Sequence, residues 1–290
     1  MIVGSGRAGL VIVATPIGNL GDLSPRAARE LAEADLIACE DTRRTGKLLH
    51  LAGIARRPLL RIDDHTEAER VEQILDRLGR GQRVVLVSDA GTPAVSDPGE
   101  RLVRAVVAGG YPVEVVPGPS AAIAALVGSG LGTQRFCFEG FLPRRPGERG
   151  TRLAQLAGEE RTLIVYESPH RLAVTLADMA SAFGADRAVV VARELTKLHE
   201  QWWRGRLDEA AAWAAATVLK GEVVIVVEGA SPPALASTAE LEAAVVQALT
   251  AGASVKDVAL ELAARFGVSR RRVYELAVRA APRGLGDTGS

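Results

Sequence analysis

Short apolar runs alternate with segments of helical periodicity along this chain, and that alternation most constrains how it can fold. Ser24 followed by Pro25 predicts a helix start, and the apolar spacing of Glu67–Leu78 predicts another helix. Nearly continuous apolar runs of four to six residues predict strands buried on both faces. These runs are Leu10–Ala14, Leu36–Glu40, Leu59–Ile62, Arg83–Ser88 and Pro112–Val116. Such alternation predicts a parallel sheet covered by helices.

The second half of the chain predicts a different sheet. Its strand candidates are Phe136–Glu139, Thr162–Tyr166, Ala188–Arg193, His199–Arg204 and Glu222–Val227. Between the later strands, helical patterns are found only at Ser168–Ala182 and Leu207–Ala215. Because too few helices are available for crossovers between parallel strands, we expect a mixed sheet.

The C-terminal part predicts a small helical domain. Paired prolines in Gly229–Ser237 predict a linker, because proline stops both helices and central strands. Three predicted helices follow, at Thr238–Leu249, Ser254–Phe266 and Ser269–Arg279. The turn between the last two fits a helix-turn-helix pattern. We therefore expect domains at residues 1–117, 118–230 and 238–282.

Composition excludes several classes of protein. The 290 residues include 35 basic and 35 acidic side chains, so the formal net charge is zero and a uniformly basic surface is excluded. Two cysteines cannot form a disulfide framework, and the four histidines share no metal-ligand spacing. No apolar run approaches the roughly 18 residues of a membrane span. We expect a reduced, cytoplasmic protein without a metal site or a membrane partner.

The segment Gly4–Gly9 matches the glycine pattern of a dinucleotide-binding fingerprint. That fingerprint requires a strand before it and a helix after it. Here only Ile2 and Val3 precede the glycines, and a predicted strand follows them. The context therefore disfavours a nicotinamide-dependent enzyme.

Three loops rich in glycine, proline and small polar residues follow predicted strands of the first half. They are Ala14–Leu20, Ser88–Gly99 and Pro117–Ala122. Each alone is explained by an ordinary turn, and Asp97-Pro98 also fits a helix start. Because carboxyl ends of parallel strands meet at one edge of the sheet, three such loops together predict a small-molecule site built largely of backbone.

Mixed charges follow other predicted strands. Cys39–Thr45 places two carboxylates beside two arginines, and Tyr166–Arg171 and Arg193–Lys197 carry similar sets. An exposed ion network of this kind contributes little to stability. At the binding edge, the same groups could instead position a phosphate or a ribose.

Six motifs follow one another between about Leu10 and Glu228: TPIGNLGDLS, CEDTRRT, SDAGTPAVSDPG, PGPSA, YESPHR and RELTK. In this order they resemble the tetrapyrrole methylase family, in its branch that methylates ribose 2′-oxygens of ribosomal RNA. The resemblance implies two α/β domains of the class III methyltransferase type, a small C-terminal helical domain, and S-adenosylmethionine bound in the cleft between the α/β domains. It also implies a homodimer and methylation of a cytidine ribose in the decoding region of 16S ribosomal RNA in the small ribosomal subunit.

The resemblance also implies site residues. Predicted cofactor-binding residues are Pro16, Gly18, Asp89, Ala90, Gly91, Thr92, Pro93, Ser120, Ala121, Tyr166 and Glu167. Because a ribose hydroxyl must lose its proton on methylation, the candidate catalytic bases at the cleft are Glu40, Asp41, Glu167, Glu194 and Lys197. Of these we favour Lys197 and Asp41, the lysine on condition that burial lowers its pKa. Predicted RNA-binding residues are Arg43, Arg44, Arg171, Arg193, Arg270, Arg271 and Arg272.

The loop sequences bear on which branch of the family the chain resembles. Members that act on tetrapyrroles carry V-G-x-G and Gly-Asp-Pro loops where this chain has TPIGN and SDAGTP, which favours the RNA branch. The stretch Arg61–Glu67 matches the pattern of that branch only at His65 and Glu67. The alternatives are a tetrapyrrole C-methyltransferase and an RNA-binding module without catalytic activity.

Overall fold

The structure, a computed structural model, describes residues 8–63, 67–231 and 238–281. The glycines at 4 and 6, His65 and the tail beyond residue 281 lie outside the described residues. The chain divides into two compact units, Met1–Ala230 and Ser231–Ser290. The first unit contains two five-stranded sheets. Whether its domains divide at residue 117 stays a prediction.

The first sheet is entirely parallel, with strand order β3-β2-β4-β1-β5. Its strands are β1 (Gly9–Val13), β2 (Leu36–Cys39), β3 (Leu59–Arg61), β4 (Arg83–Val87) and β5 (Val113–Val116). Every predicted strand of this half is confirmed to within one residue at each end. In β1, Leu10 and Ile12 pack into one core, whereas Val11 and Val13 pack into the core on the opposite face. Burial at every residue explains the continuous apolar runs of β1, β2 and β4. The prediction of burial on both faces is wrong for β3 and β5, which are partly exposed because they are the edge strands of the sheet.

Helices cover this sheet. They are α1 (Pro25–Glu33), α2 (Thr42–Leu51), α3 (Glu67–Gly79) and α4 (Glu100–Ala108). The predicted start of α1 is confirmed, since the Ser24 hydroxyl accepts a hydrogen bond from the Ala27 amide. Helix α4 begins after Gly99, whose φ of 128° favours glycine. The alternative in which Asp97-Pro98 starts this helix is wrong.

The second sheet is mixed, as predicted, with strand order β6-β7-β10-β8-β9. Its strands are β6 (Phe136–Phe141), β7 (Thr162–Glu167), β8 (Ala188–Arg193), β9 (Gln201–Arg206) and β10 (Val223–Val227). Only the β6–β7 pair is parallel. Strand β9 begins two residues later than predicted, because the Glu200 carboxylate accepts hydrogen bonds from the Thr196 amide and the Trp202 indole and holds a turn there.

Four helices accompany the second sheet. They are α5 (Ala121–Ser129), α6 (Pro146–Leu156), α7 (Leu172–Phe183) and α8 (Leu207–Ala216). Helix α7 begins four residues later than predicted, since residues 168–171 form a turn in which the Arg171 amide bonds to the Ser168 carbonyl. The sequence pattern does not predict helix α6, because Gly147 and Gly150 weaken its helical signal.

The C-terminal unit contains α9 (Thr238–Thr250), α10 (Val255–Phe266) and α11 (Arg270–Ala280), as predicted. Ser254 and Ser269 cap the last two helices through their hydroxyls. The three helices share their own apolar core, which includes Leu241, Leu262 and Leu276. Across the described parts of the chain, no helix combines the length and apolar character needed to cross a membrane.

Candidate active site

The three loops that follow β1, β4 and β5 are hydrogen-bonded to one another. Thr15 and Gly91 exchange two backbone hydrogen bonds, of 2.9 and 3.1 Å. The Thr92 hydroxyl donates to the Pro119 carbonyl at 3.3 Å. Gly91 has a φ of 77°, and a side chain there would point at the Ile17 side chain. The structure therefore brings together the loops that the sequence placed at one sheet edge.

A cavity of about 470 Å³ lies between these loops and the second sheet. Eight of the eleven predicted cofactor residues line it: Asp89, Ala90, Gly91, Thr92, Ser120, Ala121, Tyr166 and Glu167. Pro16, Gly18 and Pro93 do not. Pro93 is buried, and Gly18 lies against the loop after β8. The cavity is thus walled by residues from both sheets.

Asp41 and Asp89 organise the wall contributed by the first sheet. The Asp89 carboxylate accepts the Asp41 amide at 3.0 Å and lies 3.4 Å from the Arg44 guanidinium. The Asp41 side chain caps α2 by accepting the Arg43 amide at 2.8 Å. Hydrogen bonds from the Arg43 side chain and amide hold the pKa of Asp41 well below its usual range. Asp41 lies outside the cavity lining, so a role as proton acceptor is disfavoured.

Tyr166 and Glu167, at the end of β7, build the opposite wall. The Tyr166 hydroxyl accepts the Ala122 amide at 3.2 Å and so caps α5, whose N-terminal Ser120 makes no side-chain cap. Burial raises the pKa of Tyr166. The buried Glu167 carboxylate accepts hydrogen bonds from the Ser168 amide and the Thr175 hydroxyl, both at 2.7 Å. Glu167 therefore holds this wall in place.

Lys197 lies where the loop after β8 meets the loop after β1. Its ammonium donates to Glu194 at 2.7 Å and to Glu222 at 2.9 Å. Burial lowers the pKa of Lys197, but hydrogen bonds to the two carboxylates outweigh that effect, and the net pKa is raised. The condition on which Lys197 was a candidate base is therefore not met.

Backbone strain is concentrated in two loops, the one after β4 and the one after β8. In the described parts of the chain, the non-glycine residues with positive φ are Ala94, Ser96, Glu194 and Thr196. Each such conformation costs on the order of 1–3 kcal/mol and persists only where the surroundings impose it. Strain of this kind clusters at functional sites, which agrees with the position of both loops beside the cavity.

The predicted RNA-binding arginines fall into different environments. Arg44 lines the cavity, and Arg43 is 89% exposed while paired with Asp41. Arg171 donates to the carbonyls of Leu142 and Pro143, each at 3.1 Å. Arg193 donates to the Lys220 carbonyl at 2.8 Å. Arg171 and Arg193 therefore hold backbone in place, and their role toward RNA stays a prediction.

Arg270, Arg271 and Arg272 belong to the C-terminal unit and open α11. Arg271 pairs with Glu275 at 2.9 Å, one turn along the helix. Arg272 donates to the Thr238 hydroxyl at 3.1 Å. Their binding to RNA likewise stays a prediction.

A second cavity, of about 440 Å³, shares part of its wall with the first. Glu40, Ser96 and Asp97 line both, and Arg61 and Asp63 line the second alone. No cluster suited to a metal ion is found among the His, Cys, Asp and Glu side chains of residues 8–63, 69–231 and 238–281.

Two carboxylates that line the first cavity, Asp97 and Glu222, are not among the site residues predicted from the sequence. Asp97 fits an ordinary helix start, yet it lies in the wall. The apolar pattern places Glu222 at the start of a strand, yet it precedes β10 and also lines the cavity. Gly221 before it is the one available signal, since its φ of 92° marks a turn.

A model of the family described as Tetrapyrrole (Corrin/Porphyrin) Methylases matches residues 9–211 of the chain. The chain belongs to the tetrapyrrole methylase family. Several proteins similar to this chain are named ribosomal RNA small subunit methyltransferase I. The relative from Synechocystis sp. is 46% identical over 93% of this chain and 97% of its own length. The relative from Mycobacterium tuberculosis is 47% identical, with coverage of 95% and 96%.

Solved structures of tetrapyrrole methylases share the fold. The methyltransferase CobJ matches with a TM-score of 0.59 and 24% identity, over 77% of this chain and 95% of CobJ. A uroporphyrin-III C-methyltransferase from Thermus thermophilus, complexed with S-adenosylhomocysteine, matches with a TM-score of 0.54 and 20% identity, over 75% and 95%. The predicted fold class, family and methyltransferase class are confirmed.

Proposed function

We propose that this chain is an S-adenosylmethionine-dependent methyltransferase that acts on 16S ribosomal RNA in the small ribosomal subunit. Its acceptor in this proposal is the 2′-oxygen of a cytidine ribose. The observation that carries the proposal is the first cavity, which is walled by the loops after β1, β4 and β5 and by the second sheet. Relatives that match this chain over nearly its whole length carry the corresponding methyltransferase name.

The cavity fits the proposed cofactor chemically. Ile17, Val95 and Val224 give it an apolar surface suited to an adenine ring. Asp89 supplies a carboxylate for hydroxyl groups, and Gly91 lets the ligand approach the backbone closely. When bound, S-adenosylmethionine supplies a methyl group that its sulfonium has already activated.

The residues of the site then have two tasks. Holding the acceptor oxygen in line with the methyl group can contribute about 7–11 kcal/mol to lowering the barrier. The acceptor hydroxyl must also lose a proton, which a well-placed base accelerates by roughly 10²–10⁴-fold. Glu40 lines both cavities and remains a candidate base, whereas the pKa directions of Asp41 and Lys197 disfavour them.

RNA binding by a chain of zero net charge requires local basic groups. We assign this role to Arg43 and Arg44 beside the cavity and to Arg270–Arg272 in the C-terminal unit. The last three open α11, where the positive helix end adds to the attraction for phosphate. A homodimer in the cytoplasm, with domains at 1–117, 118–230 and 238–282, completes the proposal.

The proposal is tested by incubating the protein with methyl-labelled S-adenosylmethionine and unmodified small subunits, followed by nucleoside analysis. We expect label in 2′-O-methylcytidine. A parallel incubation with a tetrapyrrole acceptor distinguishes the alternative enzyme. Label in the tetrapyrrole and none in RNA contradicts the proposal, as does binding of subunits without consumption of the methyl donor.

A further inference from the structure

Glu222 immediately precedes β10 and lines the first cavity. Its side chain is 66% exposed. The Oε2 atom accepts a hydrogen bond from the Lys197 ammonium at 2.9 Å. Among the described residues, no hydrogen bond to the Oε1 atom is found beside the one that Oε2 accepts. The carboxylate is thus anchored at one oxygen and open at the other.

The backbone around Glu222 is also held in place. The Glu222 amide donates to the Glu194 carboxylate at 3.0 Å, and the Glu194 amide donates to the Glu222 carbonyl at 2.9 Å. Gly221 packs directly against the Glu194 side chain, which occupies the space that a Cβ would need. Such clamping keeps a side chain in the geometry that proton transfer needs.

Three other carboxylates on or beside this cavity, Glu167, Asp89 and Asp41, accept hydrogen bonds from the protein itself. Both oxygens of Glu167 accept hydrogen bonds from residues that hold the wall. Asp89 accepts the Asp41 amide and faces Arg44. Asp41 caps α2. Glu40 and Asp97 are left for experiment to compare with Glu222.

We infer that Glu222 is the catalytic residue that accepts the proton of the substrate hydroxyl, and that Lys197 is its positioning residue. This inference rests on the proposed function. In the step, the hydroxyl oxygen forms a bond to the methyl carbon while its proton passes to Glu222 Oε1. The bond between the methyl carbon and sulfur breaks, and its electron pair stays on sulfur.

The charges around Glu222 suit this role. Lys197 is shared by two carboxylates, so it keeps Glu194 as a partner when Glu222 gains the proton. The positive charge of Arg193 helps to lower the pKa of Glu194. The negative charges of Asp97 and Glu222 help to raise the pKa of Tyr166, which lines the same cavity. Protonation of Glu222 therefore leaves no uncompensated ammonium at Lys197.

The test compares Glu222→Gln, Glu222→Asp, Lys197→Met and Lys197→Arg with the unaltered chain, and uses Glu33→Gln on the exposed face of α1 as a matched control. Single-turnover methylation of unmodified small subunits is measured against pH at saturating S-adenosylmethionine. Calorimetric titration with S-adenosylhomocysteine reports cofactor binding independently of activity. We expect Glu222→Gln to lose roughly 10²–10⁴-fold in rate, to lose the acid limb of the pH profile, and to keep its affinity for S-adenosylhomocysteine.

The remaining variants separate the two roles. Lys197→Met should lose less of the methylation rate than Glu222→Gln, and its pH profile should keep an acid limb at a shifted pH. Lys197→Arg should retain most of the rate that Lys197→Met loses. Glu222→Asp should retain an acid limb at a reduced rate, and Glu33→Gln should match the unaltered chain.

Three results would overturn the inference. They are a Glu222→Gln variant with normal rate, a variant whose affinity for S-adenosylhomocysteine falls in step with its rate, and a full loss that appears in Glu40→Gln or Asp97→Asn instead. If the unaltered chain binds S-adenosylhomocysteine but labels no subunit RNA, the proposed function fails, and the inference fails with it.

Discussion

Lys197 crosses from the loop after β8 to cover Gly18 in the loop after β1. The Lys197 side chain and the Thr196 hydroxyl occupy the space that a Cβ on residue 18 would need. Thr196 also accepts a hydrogen bond from the Asn19 amide at 3.1 Å. Because residue 18 is a glycine, the two loops can meet beside the cavity.

Gly18→Ala should therefore separate these loops. We expect a loss of about 1–3 kcal/mol in the free energy of unfolding, typical of overpacking, and weaker binding of S-adenosylhomocysteine. Gly46→Ala is the matched control, because nothing lies within 4 Å of its Cβ position on α2. There alanine should be neutral or stabilising by about 0.5–1 kcal/mol. Denaturant unfolding measures the free energy of unfolding, and calorimetry measures the affinity for S-adenosylhomocysteine. Equal stability and equal affinity in the two variants would contradict the close contact between the loops at Gly18.

The protonation of Lys197 gives a prediction about pH. Its pKa in the folded protein is raised above the ordinary value of 10.5 despite the opposing effect of burial, because Glu194 and Glu222 hold the ammonium. The stabilisation is therefore fully present below pH 10.5 and is lost as pH rises through the folded pKa. The difference in unfolding free energy between the unaltered chain and Lys197→Met should be constant at neutral pH and shrink in strong alkali. A difference that shrinks already near neutrality would show a lowered pKa instead.

Among the helices, α2 depends on Asp41, whose side chain caps its N-terminus. Asp41→Asn should keep the cap and nearly all of the methylation rate, because asparagine caps helices as well as aspartate does. Asp41→Ala should lower the unfolding free energy by about 0.5–2 kcal/mol. Thermal unfolding and single-turnover rates separate the two effects. A large rate loss in Asp41→Asn with unchanged stability would restore Asp41 as a catalytic candidate.

The elements also show why parts of the fold were predictable. The central strands β1, β2 and β4 of the first sheet are buried at every residue, so their apolar runs have clear ends. Helix α6 carries two glycines, and the start of β9 is set by hydrogen bonds to Glu200 rather than by hydrophobic pattern. Local periodicity does not carry such information.

The residues of the candidate site, like the elements of the fold, could be predicted only in part. The loop residues Asp89–Thr92 were predictable because glycine and proline mark turns at strand ends. Glu222 was not, because its importance depends on Lys197, which lies 25 residues away in sequence. The direction of the Lys197 pKa shift was likewise out of reach, since it depends on two carboxylates that the fold brings to one ammonium.

At the scale of the whole molecule, the cavity belongs entirely to the unit formed by residues 1–230. A chain ending at residue 230 should therefore keep its affinity for S-adenosylhomocysteine. It should bind small-subunit RNA more weakly and with a flatter dependence on salt, because the basic start of α11 is removed. Calorimetry and filter binding over a salt series measure the two properties. RNA binding that is unchanged in affinity and salt dependence would remove the C-terminal unit from the proposal.

The same prediction can be made without truncation. Replacing Arg270, Arg271 and Arg272 by alanine should reduce the slope of log affinity against log salt by about 0.7–0.9 for each phosphate that the variant no longer neutralises. Arg104→Ala on α4 is the control, since that arginine pairs only with Glu100 among the described residues. A slope that the triple variant shares with the unaltered chain would contradict the assignment.

We expect the loops at the strand ends of the first sheet and the wall of the second sheet to form one cofactor site. A crystal structure of the protein grown with S-adenosylhomocysteine provides the decisive test. Density for the ligand is expected in the cavity between Asp89–Thr92 and Tyr166. Density in the neighbouring carboxylate-lined cavity, or no bound ligand at saturating concentration, would contradict it.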